Sequence, residues 1–487
     1  MSIANAGEKA GTASTGSRWR QRMQWVLTGL ALVLLFGLVF LPKVSFLAFA
    51  GLVVVAAVMI SRRDEVTAIT VLLGTTFLIP ANRTIGVLGQ VGIPAILVAG
   101  VLLLFWVYSR CAPTMGADRG RQPIRLLALI LLVSTLASYI AGHVRGLAPL
   151  EVSSADAALL RLCSALGLLL FTADTIRDTE GVRRVIERVV MGASFMAVVA
   201  MLQYYNVVDL AARANFPGFV VDKDTAAFLV ERFGLNRVSG TATHPIEFGV
   251  VLGMVLPLAL HLALTAPRER RLLRWVMTGL IAGVIPLSIS RSGILTAAVA
   301  LLCYLVILRL RTLLGLMPLA VIGVLGITVA SPGVLGTIKG LFLSIGKESS
   351  SQARTVDYPV VYAQWIEHPV LGRGPGTYIP ALYRILDNQY LLTLVSTGTL
   401  GLVVLLGLFC TGYSLARHVR WYSSDESTRG LGQALAGAIA GAAVASFTYD
   451  AFSFTVMFIM THLLVGCAGA LWRTAVRGCV PSQPGCG

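Results

Sequence analysis

Residues 245–312 read PIEFGVVLGMVLPLALHLALTAPRERRLLRWVMTGLIAGVIPLSISRSGILTAAVALLCYLVILRLRT. Three apolar runs, 246–265, 275–290 and 292–308, are separated by the arginine-rich turn APRERRLLRW (266–275) and by the single residue Arg291, and the stretch ends on RLRT (309–312). Each run approaches the roughly 20 residues that a helix needs to cross a hydrocarbon core. The stretch therefore reads as three consecutive spanning helices joined by tight turns. The same pattern continues outward, predicting fourteen spans near 25–42, 44–60, 66–81, 91–108, 124–142, 157–172, 187–204, 246–265, 275–290, 292–308, 313–330, 389–412, 431–448 and 452–472. The expected fold is an all-α polytopic membrane protein with about 14 transmembrane helices (12–14). A β-barrel is excluded, because its strands alternate over only about 10 residues.

Composition agrees. Of 487 residues 56% are hydrophobic and only 13% charged, with mean hydropathy +0.80, far from the roughly 25% charged content of soluble domains. The formal charge of +16 suggests nucleic acid in a soluble protein; here it sorts by side of the membrane. With the N-terminus inside, the cytoplasmic segments hold 25 Lys+Arg against 11 Asp+Glu, the outer ones 13 against 12, and Arg161 falls within a span. This positive-inside imbalance predicts two cytoplasmic termini and a multi-pass membrane protein, with no nucleic-acid partner. Met1 to Arg22 is a polar tail, and the apolar run after it is long enough to span rather than to be removed as a signal. Cys163, Cys303, Cys410 and Cys467 fall in spans and Cys111, Cys479 and Cys486 on the cytoplasmic side, so no outer disulfide is expected.

The resulting organisation is a tail at 1–24, an N-terminal bundle at 25–204, an outer loop at 205–245, spans at 246–330, a second outer loop at 331–388, C-terminal spans at 389–472 and a tail at 473–487. Nine of the 13 outer basic residues sit in those two loops. In the first, Asp224 is placed to cap a short helix carrying Phe228, Leu229 and Phe233. In the second, apolar residues recur at helical spacing from Val334 to Ile345, which predicts an amphipathic interfacial helix near 333–346. The Asp-x-Asp at 222–224 has the form of a metal site, but the cap accounts for Asp224 and no His or Glu cluster stands beside it, so no metal is expected.

Four patches stand at outer span ends: NRVSGTATHPIEFG (236–249), SISRSG (288–293), SSSQARTVDYPVVYAQWIEHPVLGRGPGTY (349–378) and LDNQYLLTLVSTGTLGL (386–402). In order and spacing, across residues 236–402, they resemble the O-antigen ligase and polymerase (WaaL/Wzy) family of bacterial envelope glycosyltransferases. The resemblance implies a GT-C-like enzyme, inverting and metal-independent, that uses an undecaprenyl-diphosphate-linked glycan as donor on the outer face without cofactor. Its acceptor is another glycan or lipid A-core. Membrane lipids, and a chain-length regulator or a flippase, are the further partners implied. Ligases of the family carry His where this chain has Asp387, and the Asp-Asn pair here is more similar to polymerase-type members.

The residues support that reading independently. Arg237, Arg291, Arg354 and Arg373 all fall outside, and arginine binds phosphate oxygens with a two-pronged fork while staying ionised. Arg291 interrupts a nearly continuous apolar stretch, where a charge is costly. Gly372 and Gly374 flank Arg373 in a turn that allows close approach to a ligand. Asp387, beside Asn388 and immediately before a span, is a candidate base for the acceptor hydroxyl; the competing role is helix cap. His244 is the alternative base, and Glu247, one turn further on, is placed to orient an arginine. A secondary transporter is the other class that suits many spans. Transporters place ionisable residues near the midplane between repeats, whereas this chain has no paired halves and keeps its Asp and Glu at span ends or in loops.

Overall fold

The computed structural model describes residues 65–478 apart from 87, 89–91, 112–119, 121, 215–217, 222–236, 331–332, 334–335, 338 and 341–348. Within them the chain is almost entirely helical: α1 Glu65–Phe77, α2 Pro94–Cys111, α3 Pro123–Val144, α4 Pro149–Thr175, α5 Thr179–Tyr204, α6 Leu210–Arg213, α7 Pro245–Leu264, α8 Arg268–Val284, α9 Arg291–Leu305, α10 Leu310–Ala330, α11 Ser349–Glu367, α12 Gln389–Tyr422, α13 Glu426–Ala445 and α14 Thr455–Gly478. Two short strands, β1 Arg83–Ile85 and β2 Phe219–Val221, pair antiparallel and tie the first long loop to the turn between α1 and α2.

Twelve expected spans fall within the described residues, and each coincides with a helix. The spans at 25–42 and 44–60, the capped helix after Asp224 and most of the interfacial helix near 333–346 lie outside those residues. Among the described residues, seven helices are long and apolar enough to cross a membrane, from Pro123–Val144 to Thr455–Arg477, and four more are apolar but shorter. α13 joins neither group, because its glycines and alanines add little hydropathy while allowing close packing. The helix α11 in the second loop was not foreseen in the sequence.

α7 and α14 form the centre, and nearly all of their apolar length is buried. Small residues bring backbones together around them. A Cβ on Gly249 would meet the Ser288 hydroxyl at 2.6 Å, and one on Gly293 would meet the Gly249 backbone at 2.8 Å. Gly253 stands equally close to Ala297. The pairs Gly249/Gly253 and Gly293/Ala297 thus seat α7 on α9 at small-xxx-small spacing, as membrane helices without a hydrophobic drive between them require.

One end of the bundle gathers the first turns of α4, α7, α9, α12 and α14. The opposite end is fastened by Asp174 at the close of α4. Its carboxylate accepts hydrogen bonds from Arg110, from Arg125 Nε at 3.0 Å and from Trp106 Nε1 at 2.8 Å, while Arg473 donates to the carbonyls of Asp174 and Ile176. The buried carboxylate thus joins α2, α3 and α4, and the main chain at the end of α4 adds α14.

α12 is interrupted. Gly398 has φ 71° and ψ −170°, conformations that a β-carbon disfavours, and the helix changes course there. The loop 369–374 fills the break: Arg373 N and Gly374 N donate to the carbonyls of Val395 and Ser396, and Thr399 N and Leu400 N donate to those of Pro369 and Val370, all at 2.8–3.2 Å. The orphaned groups of both helix halves are thereby satisfied, as a water-poor setting demands.

Candidate active site

The first turn of α7 begins at His244, whose Nδ1 accepts the backbone N–H of Ile246 at 3.1 Å. That contact fixes the tautomer, with the proton on Nε2. Burial, aided by the nearby Arg237 guanidinium, lowers the imidazole pKa to about 4. His244 is therefore neutral and presents a donor at Nε2, which suits it to bind an oxygen rather than to remove a proton.

Arg237 donates from Nε to the Ser288 carbonyl at 3.2 Å, which sets it beside the start of α9. There the backbone makes a turn that an isoleucine rarely accepts: Ile289 is left-handed at φ 47° and fully buried. Ser290 caps α9 by accepting from Gly293 N, and Arg291 is the first helical residue. A cation at a helix N-terminus opposes the macrodipole, and an anion bound there is attracted by both.

Glu247, expected to orient an arginine, is used differently. It is completely buried, and its carboxylate accepts from Thr243 N at 2.8 Å, Val456 N at 2.7 Å and Met457 N at 3.3 Å. It caps α14 from α7, across the bundle.

The turn between α13 and α14 carries two residues that sequence reasoning missed. Asp450 is half-buried, and burial, then the charge of Asp387, pushes its carboxyl up to about 6. Tyr449 is almost fully buried. Arg161, from α4, donates to the carbonyls of Phe452 at 2.5 Å and Ser453 at 3.4 Å, and its charge acts on Asp450 and Glu247. Arg161 was legible as a charge inside a span, a feature that marks function in membrane proteins. Asp450 gave no such signal, since one acidic residue in a short turn is ordinary.

Asp387 reaches this turn because its neighbours are locked to it. Gln389 N donates to the carbonyls of Ser446 at 2.8 Å and Tyr449 at 3.1 Å, and Gln389 Oε1 accepts from Phe452 N at 2.8 Å. The cap of α12 is Asn388, whose Oδ1 accepts from Tyr390 N at 2.9 Å and Leu391 N at 3.2 Å. Asp387 thus has no part in the cap.

Arg373 stands in a separate cluster. It donates to Tyr383 Oη at 2.6 Å, lies over that ring, and pairs with Glu151 at 3.5 Å and Glu367 at 3.7 Å; Tyr383 in turn donates to Glu151 at 2.6 Å. Gly372 and Gly374 have positive φ, at 66° and 136°. A Cβ on Gly372 would meet the Ser396 carbonyl and Gly398 N at 2.5 Å, and one on Gly374 would meet Thr377 at 2.9 Å. On the side a β-carbon would take, Gly372 is therefore closed by the backbone of α12 and Gly374 by the Thr377 side chain. Arg354 lies on α11, and its side chain is outside the described residues.

Residues 276–406 match the family model described as O-antigen ligase. The chain carries an O-antigen ligase family domain. That domain, of a family of membrane enzymes of the O-antigen ligase/polymerase type, runs from α8 through the break in α12. It includes Arg291, Arg354, Arg373, Asp387 and Asn388. Arg161, Arg237, His244 and Asp450 join it only through the fold. No curated protein matches the chain.

Proposed function

We propose that this protein is a glycosyltransferase of the bacterial inner membrane that works at its outer face and extends a cell-surface polysaccharide. An undecaprenyl-diphosphate-linked oligosaccharide is the donor. The acceptor hydroxyl oxygen attacks the anomeric carbon, the bond from that carbon to the diphosphate oxygen breaks with inversion, and the hydroxyl proton passes to Asp387. Arg237, Arg291 and the first turn of α9 hold the leaving diphosphate and neutralise the charge that develops on it, an effect that grows where water is excluded. His244 Nε2 donates to an oxygen of the donor. Arg161 keeps the turn bearing Asp450 against Asp387, and Asp450 stands ready to receive the proton next.

The observation that carries this reading is the meeting of Asp387, Asp450 and Arg161 at the bundle end that also holds Arg237, His244 and Arg291. A ligase that passes the glycan to lipid A-core is the second reading, favoured by the description of the matching family. Gene deletion separates them when envelope polysaccharide is resolved by gel. Loss of long chains with single repeats still on lipid A supports the polymerase; long chains accumulating on undecaprenyl diphosphate support the ligase.

A further inference from the structure

At the end of the bundle opposite the site, α12 and α14 part to leave a cavity of about 440 Å³ lined by Thr411, Ser414, Leu415, His418, Tyr422 and Trp472. Its walls are rich in hydrogen-bond donors. Thr393 and Thr397, on the same helix, donate to carbonyls four residues back, at 2.8 and 3.0 Å. Among the described residues Thr411 and Ser414 make no such bond, although a helix interior offers it readily. His418 Nδ1 meets the Ser414 carbonyl at 2.6 Å, which leaves Nε2 for the cavity, and Trp421 stands edge-on to its ring at 4.5 Å.

The surroundings select among oxygen-rich ligands. Arg417 and Arg420 are exposed on the same helix, and Arg477 is exposed at the end of α14. Among the acidic groups at this end of the bundle, Asp174 is held by its arginines, Asp425 caps α13 by accepting from Ser427 N and Thr428 N, and Glu426 pairs with Arg309 at 3.2 Å. Tyr422, Trp421 and Trp472 form the aromatic collar found where helices leave the hydrocarbon. From the cavity toward the other leaflet, Cys410, Leu406 and Val403 continue as an exposed apolar track along α12.

We infer that this groove is a binding site for one anionic glycerophospholipid of the leaflet opposite the active site. Its phosphate accepts from Thr411, Ser414 and the Trp472 indole, and an acyl chain lies along Cys410, Leu406 and Val403. The track distinguishes a lipid from free phosphate, and the arginines distinguish an anionic headgroup from a zwitterionic one. The inference does not depend on the direction in which the chain is inserted.

The test is native mass spectrometry of the full-length protein released from detergent, titrated with dioleoyl phosphatidylglycerol or with dioleoyl phosphatidylcholine. One phosphatidylglycerol is retained at about 10-fold lower concentration than phosphatidylcholine, as expected for roughly 1 kcal/mol per nearby basic residue. Thr411→Val combined with Ser414→Ala weakens that retention by about 10-fold or more, the loss expected for hydrogen bonds to a charged group, with an unchanged melting profile. Trp472→Phe weakens it less. Equal retention of the two lipids by the unaltered protein overturns the inference, whatever the variants do. So does displacement of the lipid by millimolar inorganic phosphate, which marks a simple anion site, or full retention in the double variant.

Discussion

Asn388 accepts the amides of Tyr390 and Leu391 and so relieves Asp387, one residue earlier, of any capping duty. The two neighbours are chemically similar and structurally unlike, and variants at the two positions separate helix stability from chemistry. Asp387→Asn leaves the cap intact, so insertion and yield stay normal, while chain extension falls by about 10²–10⁴-fold for loss of a general base. Asn388→Ala does the reverse: it lowers stability by about 1 kcal/mol with a smaller effect on rate. An Asp387→Asn protein that extends undecaprenyl-diphosphate-linked repeats at the parental rate removes Asp387 as base.

Asp450 gives a pH dependence with a definite sign. Its folded carboxyl is raised above the ordinary value of 3.8 to about 6, so its stabilising contribution is complete below about pH 4 and lost as pH rises through 6. Asp450→Asn should therefore melt higher than the parent at pH 8, by a difference on the order of 1–3 kcal/mol, and equal it near pH 4. Melting curves of detergent-solubilised protein at the two pH values read this directly. A parent that is the more stable of the two at pH 8 contradicts it.

Arg161 holds Asp450 toward its charged form. Replacing Arg161 by Gln removes that support and moves the acid limb of the activity profile to higher pH. Arg161→Lys retains the charge, loses the fork that spans the Phe452 and Ser453 carbonyls, and shifts the limb less. An acid limb that stays in place in both variants separates Arg161 from the proton chemistry.

The break in α12 predicts opposite outcomes for two glycines of one helix. Gly398→Ala forces a β-carbon into a left-handed residue and within 2.6 Å of Gly372 N, so the yield of folded protein collapses. Gly407→Ala meets nothing within 4 Å and raises helix stability by about 0.5–1 kcal/mol. Size-exclusion profiles and melting temperatures distinguish the pair.

Orientation is tested chemically. The division of 25 and 13 basic residues between the faces predicts that a cysteine introduced at Ser350 reacts with a membrane-impermeant thiol reagent in outer-membrane-permeabilised cells, and that one at Ser424 does not. Labelling at Ser424 alone reverses the topology and the proposed outer site.

Much of this architecture was legible because hydropathy reports directly on burial in lipid: the run at 246–265 predicted α7 to within a residue. Of the residues placed in the proposed site, the sequence singled out for a chemical role those at span ends, such as His244, Arg291 and Asp387. Asp450 and Glu151 acquire meaning through partners that are distant in sequence, and periodicity carries no information about those. The glycines around Arg373 are ambiguous in sequence for a related reason. A positive φ that admits a ligand also admits another stretch of backbone, and the carbonyls of α12 arrive from more than twenty residues away.

The loop 369–374 also acts as a splint. Four of its main-chain groups replace those that Gly398 removes from the α12 ladder, so the loop cannot lift away without exposing the ends of two half-helices. Each such polar group left unmet in a dry setting costs several kcal/mol. Displacing this loop therefore also disturbs α12, and any change in the course of α12 at its break is passed directly to the backbone at Arg373.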